Sequence, residues 1–151
     1  MILCLLLAWV GAAGAVDNRV VAPRRGGPQS FLDLAQDLTS EDKGDRQLAA
    51  RALRRQVRIH LRDAGRSEGS LPQLEALAAL QDYDAKVAPR CLKVLGKPDL
   101  VGPCADILGL LETPEAAAPL RGALAAESRR GPRRRIERAL ARISAPAPVE
   151  P

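Results

Sequence analysis

The sequence predicts an all-α fold, a short right-handed stack of helix pairs, and three observations predict it. Leucine and alanine, both strong helix formers, recur at helical spacing from Phe31 to Ile143. No stretch alternates β-branched and polar residues with the period of two that a half-buried strand requires. Helix starts recur near positions 71, 85, 99, 115 and 132, a spacing of 14–17 residues. Hydrophobic residues make up 46% of the 151 and aromatics only 2%, so the expected core is aliphatic, and the length suits one domain.

Residues 1–15, "MILCLLLAWVGAAGA", are apolar and end in Ala13-Gly14-Ala15, a small-x-small cleavage signal. They are too short to span a bilayer comfortably and read as a secretory signal peptide, although no Lys or Arg precedes the apolar run. The competing readings are a buried N-terminal helix and a short membrane anchor. Cys4 stands ahead of the apolar run rather than after it, which argues against a lipoprotein anchor. Residues 16–29 carry Pro and a Gly pair without helical period and are expected to be a flexible segment. Residues 144–151, "SAPAPVEP", form a disordered Pro/Ala tail in this reading. The helical repeat domain is then 30–143.

Seven helices are expected within it. The first covers Phe31 to Leu38, with Ser30 as N-cap and Asp33 at the third position. The second runs from Arg46 to Ala64, opened by Gly44-Asp45 and closed by Gly65. The third, Leu71 to Gln81, follows a capping box of Ser70 with Gln73; the fourth, Ala85 to Gly96, has Asp84 as cap. The fifth runs from Asp99 to Glu112 behind Pro98. The sixth, Glu115 to Ala126, has Thr113 as cap and Pro114 at the first position, where a missing N–H costs nothing. The seventh is Pro132 to Ile143.

A helix, a short turn and a helix at fixed period form a unit too small to bury its own apolar face. Stacking neighbours supplies the missing core, which is the logic of an α-solenoid. On the fifth helix Leu100, Val101, Cys104, Ile107, Leu108, Leu110 and Leu111 leave only a narrow strip of Gly102, Asp106 and Gly109. A helix so apolar belongs in the middle of a stack. The seventh has Ile136, Ala139, Leu140 and Ile143 on one face and Arg134, Arg135, Arg138 and Arg142 on the other, as a terminal cap requires.

The C-terminal half, "PDLVGPCADILGLLETPEAAAPLRGALAAE" followed by "GPRRRIERALARI", resembles HEAT repeats. A helix ends in Leu-Gly, a Pro-containing turn follows, and Leu108-Gly109 aligns with Leu140-Ala141 at a spacing of 32. Pro89, Pro103 and Pro119 fit the kinked helices of that family, and Gly102 stands where Arg is usual in it. The resemblance covers about residues 84–143 and extends weakly to "DRQLAARALRRQ". It implies a scaffold or binding surface and carries over no catalytic residue.

Signal cleavage removes Cys4 and leaves Cys91 and Cys104, at similar distances from a turn near Lys97-Pro98 on adjacent antiparallel helices. The favoured reading is a disulfide, which would stabilise the fold by ~3 kcal/mol in the chain-entropy model and depends on an oxidising compartment. The alternative is two reduced thiols acting as small core hydrophobes. The twelve intervening residues do not make a redox-enzyme pair.

Of the charged residues, Arg51, Arg54, Arg55, Arg58 and Arg62 share an arc of about 100° on the second helix, with Leu48, Ala52, Leu53, Val57 and Ile59 on the rest. "RRGPRRR" flanks the last turn. These arginines, with Arg134, Arg135, Arg138 and Arg142, are the candidate interaction surface; the plainer reading is a solvated face. His60, the only histidine, has no metal-ligand spacing around it, and Asp82 and Asp84 read as helix caps. Ser67 and Ser70 have no histidine placed to activate them.

The sequence therefore points to a non-catalytic, exported HEAT-like scaffold with a protein partner, an acidic one being the natural candidate, and with no cofactor, metal or small-molecule substrate. It would be cytoplasmic if residues 1–15 do not act as a signal. A basic helical protein binding nucleic acid or an anionic membrane through its Arg stripe is the alternative. An accessory role in a cofactor-attachment or lyase system ranks third. Scarce aromatics count against single-strand binding.

Overall fold

The protein is described here by a computed structural model covering residues 30–66 and 68–145. The expected signal peptide, the flexible segment 16–29, Ser67 and all but the first two residues of the tail lie outside the described residues. Among those described the fold is all-helical: α1 Phe31–Asp37, α2 Lys43–Ala64, α3 Leu71–Lys86, α4 Ala88–Val94, α5 Val101–Leu110, a 3₁₀ turn Pro114–Ala116, α6 Ala117–Ala126 and α7 Arg130–Ile143.

Local chemistry sets most of the starts. Ser30 and Asp33 form the expected capping box of α1, the Ser30 hydroxyl accepting from Asp33 N–H and the Asp33 carboxylate accepting from Ser30 N–H. At α2 the cap is Asp42 rather than Gly44-Asp45: Asp42 Oδ1 accepts from Asp45 N–H at 2.9 Å, and a side chain at Gly44 would meet that oxygen. Gly65 closes α2 as expected. From α3 onward every α-helix carries a proline in its first three residues: Pro72, Pro89, Pro103, Pro119 and Pro132. At the helix starts the missing N–H removes no intrahelical bond; Pro89, where α4 runs on from α3, is the exception.

At four of the expected caps, Ser70, Asp82, Asp84 and Thr113, the side chain does something else. The Ser70 side chain makes no capping bond. Gly69, at φ +74°, turns the backbone so that its own N–H meets Gln73 Oε1 at 2.7 Å, and Gln73 Nε2 donates to the Ala64 carbonyl. Asp82 and Asp84 lie inside α3, which continues to Lys86; Asp82 pairs with Lys86, and Asp84 Oδ1 accepts from Thr113 Oγ1 at 2.9 Å. Thr113 stands at the expected N-cap position, before Pro114, but its side chain ties the α5–α6 turn to α3 instead of making a capping bond.

The chain barely pauses between α3 and α4. Val87 N–H donates to the Tyr83 carbonyl at 2.8 Å and its own carbonyl accepts from Cys91 N–H at 2.9 Å, so the expected third and fourth helices run on through one bend beside Pro89. At the end of α5, Glu112 sits at φ +53° and Thr113 N–H returns to the Leu108 carbonyl, a Schellman closure built on a residue other than glycine.

One continuous core joins all the helices. α5 packs against α2, α4 and α7; α1 and α3 pack on α2, and α6 packs on α7. Buried α5 positions include Val101, Cys104, Ile107 and Leu108, as a helix with neighbours on several sides requires. Gly102 and Gly109 are not an open strip, since both are buried. A Cβ at Gly109 would lie 2.6 Å from Ala139 Cα and Cβ, and one at Gly102 would lie 3.1 Å from Arg135 Cδ. Two glycines seven apart let α7 lie directly on the α5 backbone.

The core is aliphatic except at one joint. Tyr83 is fully buried, its ring edge-on to Phe31 at 5.2 Å and tilted against His60 at 5.5 Å, with its hydroxyl donating to Gln56 Oε1 at 3.2 Å. His60 is accordingly a half-buried packing residue. Leu48, grouped with the apolar side of α2 in the sequence, is 65% exposed; Ala49, Ala50, Leu53 and Val57 make the buried face.

Candidate functional site

Helical spacing turns Arg51, Arg55, Arg58 and Arg62 away from the buried Ala50–Leu53–Val57 face of α2. On α7 the buried Ile136 and Ala139 are flanked by Arg135 and Arg142, which border the α5 contact, and by the exposed Arg138. α5 lies in contact with both helices, and one charged residue on it, Asp106, faces between them. Arg54 Nη1 donates to Asp106 Oδ2 at 2.8 Å, and Arg135 Nη1 lies 3.6 Å from the same oxygen. Arg58, Arg138 and Arg142 meet around Asp106 and Gly109 in a narrow hollow. Along α2 a wider, open depression of about 590 Å³ is edged by Arg51, Arg55, Arg62 and Ile59.

Six of the nine expected arginines, Arg51, Arg54, Arg58, Arg135, Arg138 and Arg142, therefore border a groove running along α5, with Asp106 on its floor, while Arg55 and Arg62 line only the depression along α2. The ninth, Arg134, is exposed and turned away; its carbonyl accepts from Arg138 Nε. Arg51, Arg55 and Arg58 have no hydrogen-bond or ion-pair partner among the described residues.

The groove ends in a cleft of about 630 Å³ where α2, α5 and α7 all begin. Its basic lining adds Arg129, the first residue of the RRGPRRR cluster, and Lys43, which was not foreseen from the sequence. Arg129 is braced: Nε and Nη2 bind the Glu127 carboxylate at 2.9 and 2.7 Å, and Nη2 also donates to the Pro98 carbonyl at 2.7 Å. These hydrogen bonds hold the Glu127 carboxyl at about 2 and raise the Arg129 guanidinium above its ordinary value. Beneath the cleft Asp99 is bound by Arg46 at 3.1 Å. Burial acts to raise the Asp99 pKa, but the Arg46 hydrogen bond, its own backbone N–H and the charges of Arg46 and Lys43 prevail and hold it below the usual carboxylate range. The signal for Asp106 was present in the sequence, a lone carboxylate on an otherwise apolar helix.

Cys91 and Cys104 stand on α4 and α5, both fully buried free thiols facing each other, on the side of α5 away from Asp106. Its hydrogen bond with Cys104, then burial, then the neighbouring thiol's charge push the Cys91 thiol well above its ordinary value. Among the described residues no group of three or more His, Cys, Asp or Glu is placed to hold a metal, and no helix is long and apolar enough to cross a membrane. No protein family, curated protein or solved structure matches this chain.

Proposed function

We propose that this chain is a non-catalytic, exported interaction module, a short HEAT-like α-solenoid that binds an acidic polypeptide along its arginine groove. The pairing α1–α2, α3/α4–α5 and α6–α7, with α5 packed by both α2 and α7, supports the stacked arrangement. One observation carries the functional reading: arginines about eighty residues apart in sequence border the same groove, and several lack a partner among the described residues. Aliphatic Ile59 and Leu110 lie among them, and Phe31 and Tyr83 sit at the α1–α3 joint instead, so among the described residues the groove has no Phe, Tyr or Trp ring on which a base could stack. Arginine with aliphatic surface suits a carboxylate-rich peptide better than a single strand of nucleic acid.

A labelled glutamate-rich peptide and a single-stranded oligonucleotide of equal charge, each titrated by fluorescence anisotropy at rising salt, test the reading. The peptide is expected to bind more tightly and to keep part of its affinity at moderate salt, through the aliphatic contacts. An oligonucleotide that binds more tightly, with affinity falling steeply with salt, would instead support the polyanion reading, which the same unpartnered arginines favour. Binding of neither would remove both.

A further inference from the structure

We infer that the cleft where α2, α5 and α7 begin is a separate binding site for a phosphate-type dianion, the head of a phosphomonoester. Its volume of about 630 Å³ lies in the range of ligand pockets. Five cations line it, Lys43, Arg51, Arg54, Arg129 and Arg135, against one carboxylate, Asp99. The carboxylates within reach are already engaged: Asp99 by Arg46, Glu127 by Arg129, and Asp106 by Arg54 and Arg135 together. Arg51 is then without a partner among the described residues, Lys43 makes no hydrogen bond and only feels the charge of Asp99, and two arginines share a single carboxylate. That surplus is cancelled by a multiply charged anion.

The placement of donors selects the kind of anion. They arrive from α2, from the segment before α7 and from α7 itself, so they approach from several directions. A carboxylate presents two oxygens in one plane, which a single guanidinium fork serves, whereas the terminal oxygens of a phosphate point three ways. Arg129 is held in place before any ligand arrives, and its bonds to Glu127 and Pro98 leave both N–H groups of Nη1 unused. Pro98, Pro103 and Pro132 make a rigid wall whose rings have no N–H to offer, a surface for the organic part of the ester.

The cleft shares Arg51, Arg54 and Arg135 with the groove, but Arg58, Arg138 and Arg142 line no part of it, so variants at those three separate its occupancy from the acidic-peptide reading. Calorimetric titration of the full chain with phenyl phosphate, a phosphoserine heptapeptide and benzoate tests it. Phenyl phosphate is expected to bind saturably, to weaken below the second phosphate pKa of about 6, and to exceed benzoate by about tenfold. Arg51→Gln and Arg135→Gln, with helix content checked by circular dichroism, should each weaken it about tenfold, and Arg138→Gln should leave it unchanged. Tighter binding of the phosphopeptide would assign the phosphate to a polypeptide; equal binding would assign it to a free ester. No saturable heat from either phosphate, benzoate binding as well as phosphate, or equal losses in all three variants would overturn the proposal. Acidic-peptide binding alone can survive that result.

Discussion

Arg46 ties two distant parts of the chain to α2 at once. Its Nε and Nη2 meet Asp99 Oδ2, each at 3.1 Å, ahead of α5, and its Nη1 donates to the Ser40 and Glu41 carbonyls at 2.9 and 2.7 Å in the α1–α2 turn. The paired side chains are only 12% and 11% exposed. Removing one member of such a pair leaves a poorly solvated charge and two carbonyls without donors. Arg46→Ala is therefore expected to lower unfolding stability by about 3 kcal/mol, measured by urea denaturation. The sign with pH follows from Asp99: its carboxyl is held below the unfolded value, so the pair stabilises fully above the ordinary carboxylate range and loses that contribution as pH falls through the folded value. A wild-type and Arg46→Ala difference that stayed constant into acid would contradict this. Nothing in the sequence singled out Arg46, because its partner lies 53 residues away. The α1 capping box was legible because its groups lie three residues apart.

Helices as elements were legible wherever one face had to be apolar, and their ends where caps are local. The break expected at Asp84 failed for a physical reason: Pro89 removes one N–H, yet the Val87 bonds on either side carry the helix past it. The relation between α5 and α7 was hidden as well. Their arginines and glycines can be read one helix at a time, but the contact rests on Gly109 against Ala139. Gly109→Ala would force a methyl to within 2.6 Å of the Ala139 backbone, and the two helices would have to part. Overpacking of this kind costs about 1–3 kcal/mol. The variant should melt at a lower temperature despite the better helix propensity of alanine. A higher melting temperature would mean that the close approach is absent.

At the scale of the whole molecule, two basic faces that the sequence shows separately become opposite walls of one groove only because α5 lies in contact with both. Exposure and charge were visible in the primary structure; convergence was not, since it depends on which helix neighbours which. A solvated pair of helix faces and a shared binding site make different demands on individual arginines. The direct measurement is the affinity of the glutamate-rich peptide for three single variants, Arg58→Gln on α2, Arg138→Gln facing it on α7, and Arg134→Gln turned away on α7. The shared groove predicts a loss of several-fold for each of the first two and none for the third. Equal small losses for all three, tracking net charge alone, would contradict it.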